Sequence, residues 1–189
     1  MASQIKKTEK RFPKAAVDYI DALLEIQQTR FDQEKACEET KPYTSEFREG
    51  LNLPKSAHYL AEDEHFTGVG WSSLYHRRDG TGFRWMGRLG TFLLPLDLSS
   101  GGTLRIEGSA FSRHRHLKSL TVWIEGQAIQ GAVSRRGLNR WHFTGTIPPI
   151  PWRPYSILRL QSTGVSKPAT GTDSYTSVAV NAVEISPKA

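Results

Sequence analysis

From Phe92 to Ile185 apolar side chains recur at every second residue in a series of short runs, with no run of helical period between them. Successive side chains of an extended chain point to opposite faces, so this spacing marks half-buried strands. Over 91–98, Phe92, Leu94, Leu96 and Leu98 fall on one side and Thr91, Leu93, Pro95 and Asp97 on the other. Leu104 and Ile106 repeat the pattern, as do Leu120, Val122 and Ile124 against Thr121, Trp123 and Glu125. Trp141, Phe143 and Ile147 alternate with Arg140, His142 and Thr144. Stretches 156–161 and 177–186 complete the set, and a change of apolar parity between Val180 and Val183 predicts a bulge at Asn181 and Ala182. Gly126-Gln127 reads as a tight turn into a hairpin over 128–133, while Pro148, Pro149, Pro151 and Pro154 forbid ladder pairing where they cluster. Seven or more short strands without crossover helices exclude a parallel α/β sheet and predict an all-β fold, an antiparallel β-sandwich of jelly-roll type over 67–186.

What precedes the sandwich has a different grammar. Residues 1–13 carry Lys6, Lys7, Lys10 and Arg11 without periodicity and are expected to form a flexible basic arm. Over 14–40, Val17, Ile20, Leu24 and Phe31 recur at helical spacing opposite Asp18, Asp21, Glu25, Arg30, Asp32 and Lys35, which predicts a long amphipathic α-helix. Such a stripe serves a helix packed on its own body, and equally one that docks on a protein partner or on a second copy. Residues 41–66 form a connector broken by Pro42, Gly50 and Pro54, with a helical turn expected near 56–62.

Charge separates the same parts. Residues 1–50 hold nine basic and ten acidic side chains, whereas residues 51–189 hold sixteen and nine. The sandwich is therefore the basic part, which fits either a solvated surface with a positive bias or a partner bearing carboxylate, sulfate or phosphate groups. One cysteine, Cys37, leaves no internal disulfide. No apolar run approaches the ~20 residues that span a bilayer, and no apolar signal segment opens the sequence, so a cytoplasmic location is expected.

Several residues in order are similar to a known family. Phe83-Arg84-Trp85-Met86 leads into an aliphatic strand ending at Pro95-Leu96-Asp97. Thr121-Val122-Trp123-Ile124-Glu125-Gly126, Trp141 and the segment from Pro168 through Asp173 to Val178-Ala179-Val180 follow. The series resembles the galactose-binding-like β-sandwich modules attached to bacterial glycosyltransferases and other surface-polysaccharide proteins. The resemblance implies a role in polysaccharide biosynthesis and assembly. In place of the Arg-x-Leu-Gly that such modules carry after the late aspartate, this chain has Ser174-Tyr175-Thr176-Ser177, and it has no glycosyltransferase domain.

Sugar recognition needs aromatic faces for the apolar side of a pyranose and planar polar groups for its hydroxyls. Trp71, Tyr75, Trp152, Tyr155 and Tyr175 supply the first on predicted loops, with Arg77, Arg78, Arg84 and Asp173 as polar partners. Trp123 is a stacking platform if its strand face is open, and second-core packing if the helix covers it. Trp85 and Trp141 are expected in the core, and Arg84 is read either as a ligand contact or as a structural arginine paired with Asp97 or Asp173. His114 and His116 have a spacing that zinc sites use but lack a third ligand nearby, and Cys37 has acidic neighbours that oppose thiolate formation. Glu107 and Glu125 are the only carboxylates weighed as a glycosidase pair, and outward strand carboxylates are ordinarily surface charge. The expectation is therefore a non-catalytic module with no cofactor and no metal, binding a carbohydrate, an anionic one by its charge. The alternative is a structural or assembly protein, such as a virion or phage-particle subunit or scaffold, docking through residues 14–40. Nucleic acid, as for the basic arms of small capsid subunits, is a less favoured partner, because the arm is short and the next polar face acidic.

Overall fold

Two antiparallel sheets pack face to face, as the alternation predicts. The computed structural model describes residues 45–168 and 174–188; the arm 1–13, the helix expected over 14–40 with Val17, Ile20, Leu24 and Phe31, and Asp173 lie outside the described residues. The order of elements is α1 (Ser45–Leu51), β1 (Ala57–Leu60), β2 (Trp71–His76), β3 (Gly82–Met86), β4 (Leu89–Leu94), β5 (Gly102–Phe111), α2 (His114–Lys118), β6 (Thr121–Ile124), β7 (Gln127–Ala128), β8 (Gln130–Arg136), β9 (Arg140–Ile147), β10 (Ser156–Gln161) and β11 (Val178–Ser186). The larger sheet has the order β2-β3-β11-β5-β9-β8, with β1 pairing β11 on the edge that β3 also uses. The smaller has the order β4-β10-β6-β7.

The inward set of the larger sheet is Met86, Leu104, Ile106, Trp141, Phe143, Val178, Val180, Val183 and Ile185; that of the smaller is Phe92, Leu94, Val122, Ile124, Leu158 and Leu160. All belong to one buried cluster, and each large aliphatic or aromatic side chain contributes roughly 1.5–3 kcal/mol on burial. The strand expected over 91–98 ends at Leu94, where Pro95 removes a donor, although Leu96 and Leu98 stay buried. Two expectations are corrected. Residues 57–60 form a strand rather than a helical turn, because their backbone groups complete the edge of β11. The expected hairpin is split: Glu125 and Gly126, both at positive φ, make the two-residue turn from β6 to β7, and the chain then passes through buried Ile129 to β8 in the other sheet.

The bulge predicted at Asn181 is present, and a second one faces it. Val180 pairs with Gly108 and Ala182 with Glu107, skipping Asn181; Ala179 pairs with Ala110, skipping Ser109. The two extra residues offset each other, and Ser109 Oγ lies 3.2 Å from Asn181 Oδ1. Beside them Trp141 lies across Gly108, with its indole N–H on the Ala110 carbonyl at 3.0 Å. A Cβ on Gly108 would stand 1.9 Å from Trp141 Cε2.

His116 in α2 is 1% exposed, and it does not share an open face with His114 as an extended chain would require. Arg115 Nε donates to its Nε2 at 3.3 Å, so the proton belongs on Nδ1, which lies 2.9 Å from Ser112 Oγ; that hydroxyl in turn donates to the Thr176 carbonyl at 2.6 Å. Burial first, then the neighbouring Arg115 and Arg113, push the imidazole below its ordinary value of 6.5.

Gly108→Ala is expected to destabilise the protein by about 1–3 kcal/mol or more, because Trp141 cannot move without leaving its hydrogen bond; urea unfolding measures this, and an unchanged midpoint would refute the close packing. The folded state binds fewer protons at His116 than the unfolded chain does, so its contribution is complete above pH 6.5 and is lost as pH falls through the depressed folded value. His116→Gln should lower stability overall but flatten that acid limb in a series of melts between pH 7 and pH 5.

Candidate functional site

The outer face of the larger sheet is not uniformly polar. Gly82, Arg84 and Met86 of β3 point inward, so Phe83 and Trp85 point out. There they form a second small cluster with Ala179 of β11, and Tyr75 and Ala110 pack against it. Tyr75 stacks on Phe83 with centroids 5.9 Å apart, and Phe83 meets Trp85 edge-on at 6.1 Å. Trp85 is only 3% exposed, and among the described residues its buried indole N–H has no hydrogen-bond partner, as is also true of Trp123 on the smaller sheet.

Phe83 and Trp85 form one wall of an open depression of about 540 Å³, whose other sides include His76, Arg77, Arg78, Asp79 and Asn139. Its floor is Ser109 and Ala110, short side chains on a central strand. Across Arg77 and Ser109 it adjoins a smaller cavity of about 230 Å³, lined by Glu107, Arg136, Arg140, His142 and Asn181 among others. Arg77 is fixed at the boundary, donating from Nη1 to the Ser109 carbonyl at 2.7 Å. Asp79 holds the arginines in place: its Oδ2 accepts from Arg140 Nη2 at 2.7 Å and lies 3.9 Å from Arg77 Nε. Its Oδ1 accepts the Thr81 backbone N–H at 3.1 Å. Hydrogen bonds from the Thr81 side chain and backbone, then the charges of Arg77 and Arg140, hold the Asp79 carboxyl below its ordinary value of 3.8.

Of the residues singled out from sequence, Tyr75, Arg77 and Arg78 come together at this face. Trp71, read there as loop-borne, opens β2 instead and stitches the two sheets: its N–H donates to the Thr91 carbonyl at 2.7 Å, and its ring meets Phe66 edge-on at 5.2 Å. Arg84 lies on the inward parity of β3 and serves the backbone, donating to the Ala61 carbonyl at 2.8 Å and the Ser72 carbonyl at 3.3 Å. Its expected partner Asp97 accepts the Ser99 N–H at 3.0 Å. Trp123 stands on the outer face of the smaller sheet under Arg159, whose guanidinium carbon is 5.1 Å from the ring centre. Trp152 packs beneath Arg48 at 5.3 Å, while Tyr155 and Tyr175 are exposed and line neither cavity. Glu107 and Glu125 do not converge: Glu107 pairs with Arg105 at 2.6 Å on the larger sheet, whereas Glu125 accepts Arg153 and the Ile157 N–H beside β6 in the smaller one. Among the described residues no helix is long and apolar enough to cross a membrane.

Sequence patterning alone does not mark Phe83, Ser109, Arg140, His142 and Asn181 as site residues; it does mark the basic pair Arg135-Arg136, as a loop able to hold phosphate groups. Parity had already assigned Arg140 and His142 to one outer face, but nothing in the spacing says that β8, β9, β5 and β11 lie side by side. The sequence matches no family model and no curated protein.

Followed by NMR, the Asp79 carboxyl should titrate below the ordinary aspartate range, and Thr81→Val should move it back toward 3.8. The pair contributes above that value and the contribution is lost as pH falls through the depressed folded one. A normal titration in the unmodified protein would mean that the Thr81–Asp79 turn is not formed in solution.

Proposed function

We propose that this protein is a non-catalytic carbohydrate-binding module of the galactose-binding-like, jelly-roll kind, acting in the cytoplasm in bacterial polysaccharide biosynthesis or assembly, and that the outer face of its larger sheet is where the sugar lies. The observation that carries this reading is the aromatic wall that Phe83 and Trp85 give to an open depression on a sheet face. The apolar face of a pyranose suits those rings. The floor supports the same reading, because Ser109 and Ala110 are short enough for a ring to approach the sheet closely. Arg77 and Arg78, in the β2–β3 turn that also lines the depression, supply planar donors for hydroxyls. The depression, at about 540 Å³, falls within the roughly 300–1,000 Å³ of small-molecule sites.

The test is a glycan array followed by calorimetry on the best binder. Phe83→Leu keeps the wall apolar but removes one ring face, so affinity should fall by about three- to tenfold. A thermal melt checks that the variant is folded. Unchanged affinity in folded Phe83→Leu, or the absence of any glycan binding, would overturn the assignment.

A further inference from the structure

The smaller cavity differs from its neighbour in chemistry. Three guanidinium groups, those of Arg77, Arg136 and Arg140, border it. Arg77 and Arg140 share the single carboxylate of Asp79, and Glu107 is already taken by Arg105 at 2.6 Å. Arg136 makes no ion pair or side-chain hydrogen bond among the described residues. The cavity thus carries an excess of positive charge that the described residues do not neutralise. His142 also lines it, with Nε2 2.7 Å from Ser134 Oγ.

We propose that this cavity is an anion subsite, taking the carboxylate or sulfate of an acidic sugar whose neighbouring ring lies against Phe83 and Trp85. Its volume of about 230 Å³ lies below the roughly 300–1,000 Å³ of complete small-molecule sites, which suits one residue of a longer ligand. Asp79 is a positioning residue here. It holds Arg140 and Arg77 on the rim before the ligand arrives, so less side-chain freedom is lost when an anion binds. Arg77 and Ser109 line both cavities, which places the two side by side on one sheet face.

This inference rests on the sheet-face reading above, and the test separates the two. An array holding neutral glycans beside their uronic-acid and sulfated counterparts is probed with the full chain and with the double variant Arg136→Gln/Arg140→Gln. Both positions are exposed, so the variant should fold. The unmodified chain should bind an acidic member about tenfold or more tightly than its neutral counterpart, the effect of a charge-assisted hydrogen bond. The double variant should lose that preference and bind the acidic and neutral forms alike, at the level of the neutral one. Whether carboxylated or sulfated members lead identifies the anion. Equal binding of acidic and neutral forms by the unmodified chain, or a preference that survives in the double variant, overturns the subsite while leaving the sheet-face reading intact. Binding of no glycan at all overturns both.

Discussion

The paired bulges at Ser109 and Asn181 are the constraint on which the rest of the outer face depends. An extra residue in one strand shifts the register of everything beyond it and reverses which side chains face the core. Here two such residues face each other on neighbouring central strands, so the register lost at one is recovered at the other. Beyond the pair, Val178 on β11 and Phe111 on β5 still meet the core, while Ala179 and Ala110 are turned outward against Trp85. Without the bulge in β5, Ala110 would fall inward and the floor beside Trp85 would be lost.

The same irregularity provides partners for atoms that a regular ladder would have paired. The Ser109 carbonyl receives the Arg77 guanidinium, and the Asn181 carbonyl receives the Ala61 N–H. The first bond reaches from the turn after β2 across the sheet and fixes the residue that separates the two cavities. The second secures the chain just beyond β1, next to the point where β1 takes over from β3 along β11. Gly108, next to the bulge, is the point at which Trp141 can lie flat enough to reach the Ala110 carbonyl. Core packing, sheet topology and site geometry therefore meet within a few residues of one strand pair.

How much of this was legible follows from what alternation records. It records which face a side chain takes, and so it gave the inward sets of β4, β5, β6, β9 and β11, and the bulge at Asn181, where two valines change parity. The bulge at Ser109 left no such mark, because Gly108, Ser109 and Ala110 are all small and an apolar pattern cannot shift visibly across them. Alternation does not record which strands are neighbours. Arg140 and His142 could be placed on an outer face, but their meeting with Arg77 and Asp79 depends on pairings between strands far apart in sequence. Arg84 was ambiguous for a different reason: an arginine that donates to backbone carbonyls needs no carboxylate, and no sequence pattern identifies such acceptors.

Strand position then explains why the chemistry of the outer face changes from one edge to the other. Central strands are flanked on both sides, and at the paired bulges their outward residues are Ala110, Ser109, Ala179 and Asn181, short enough to make a floor. Larger side chains stand on the flanking strands, aromatic on β3 and charged or imidazole on β9 and β8. An apolar wall in one cavity and a cationic cluster in its neighbour follow from that distribution. The proposed ligand, an acidic oligosaccharide, would set a flat apolar ring face against the first and an anionic group against the second.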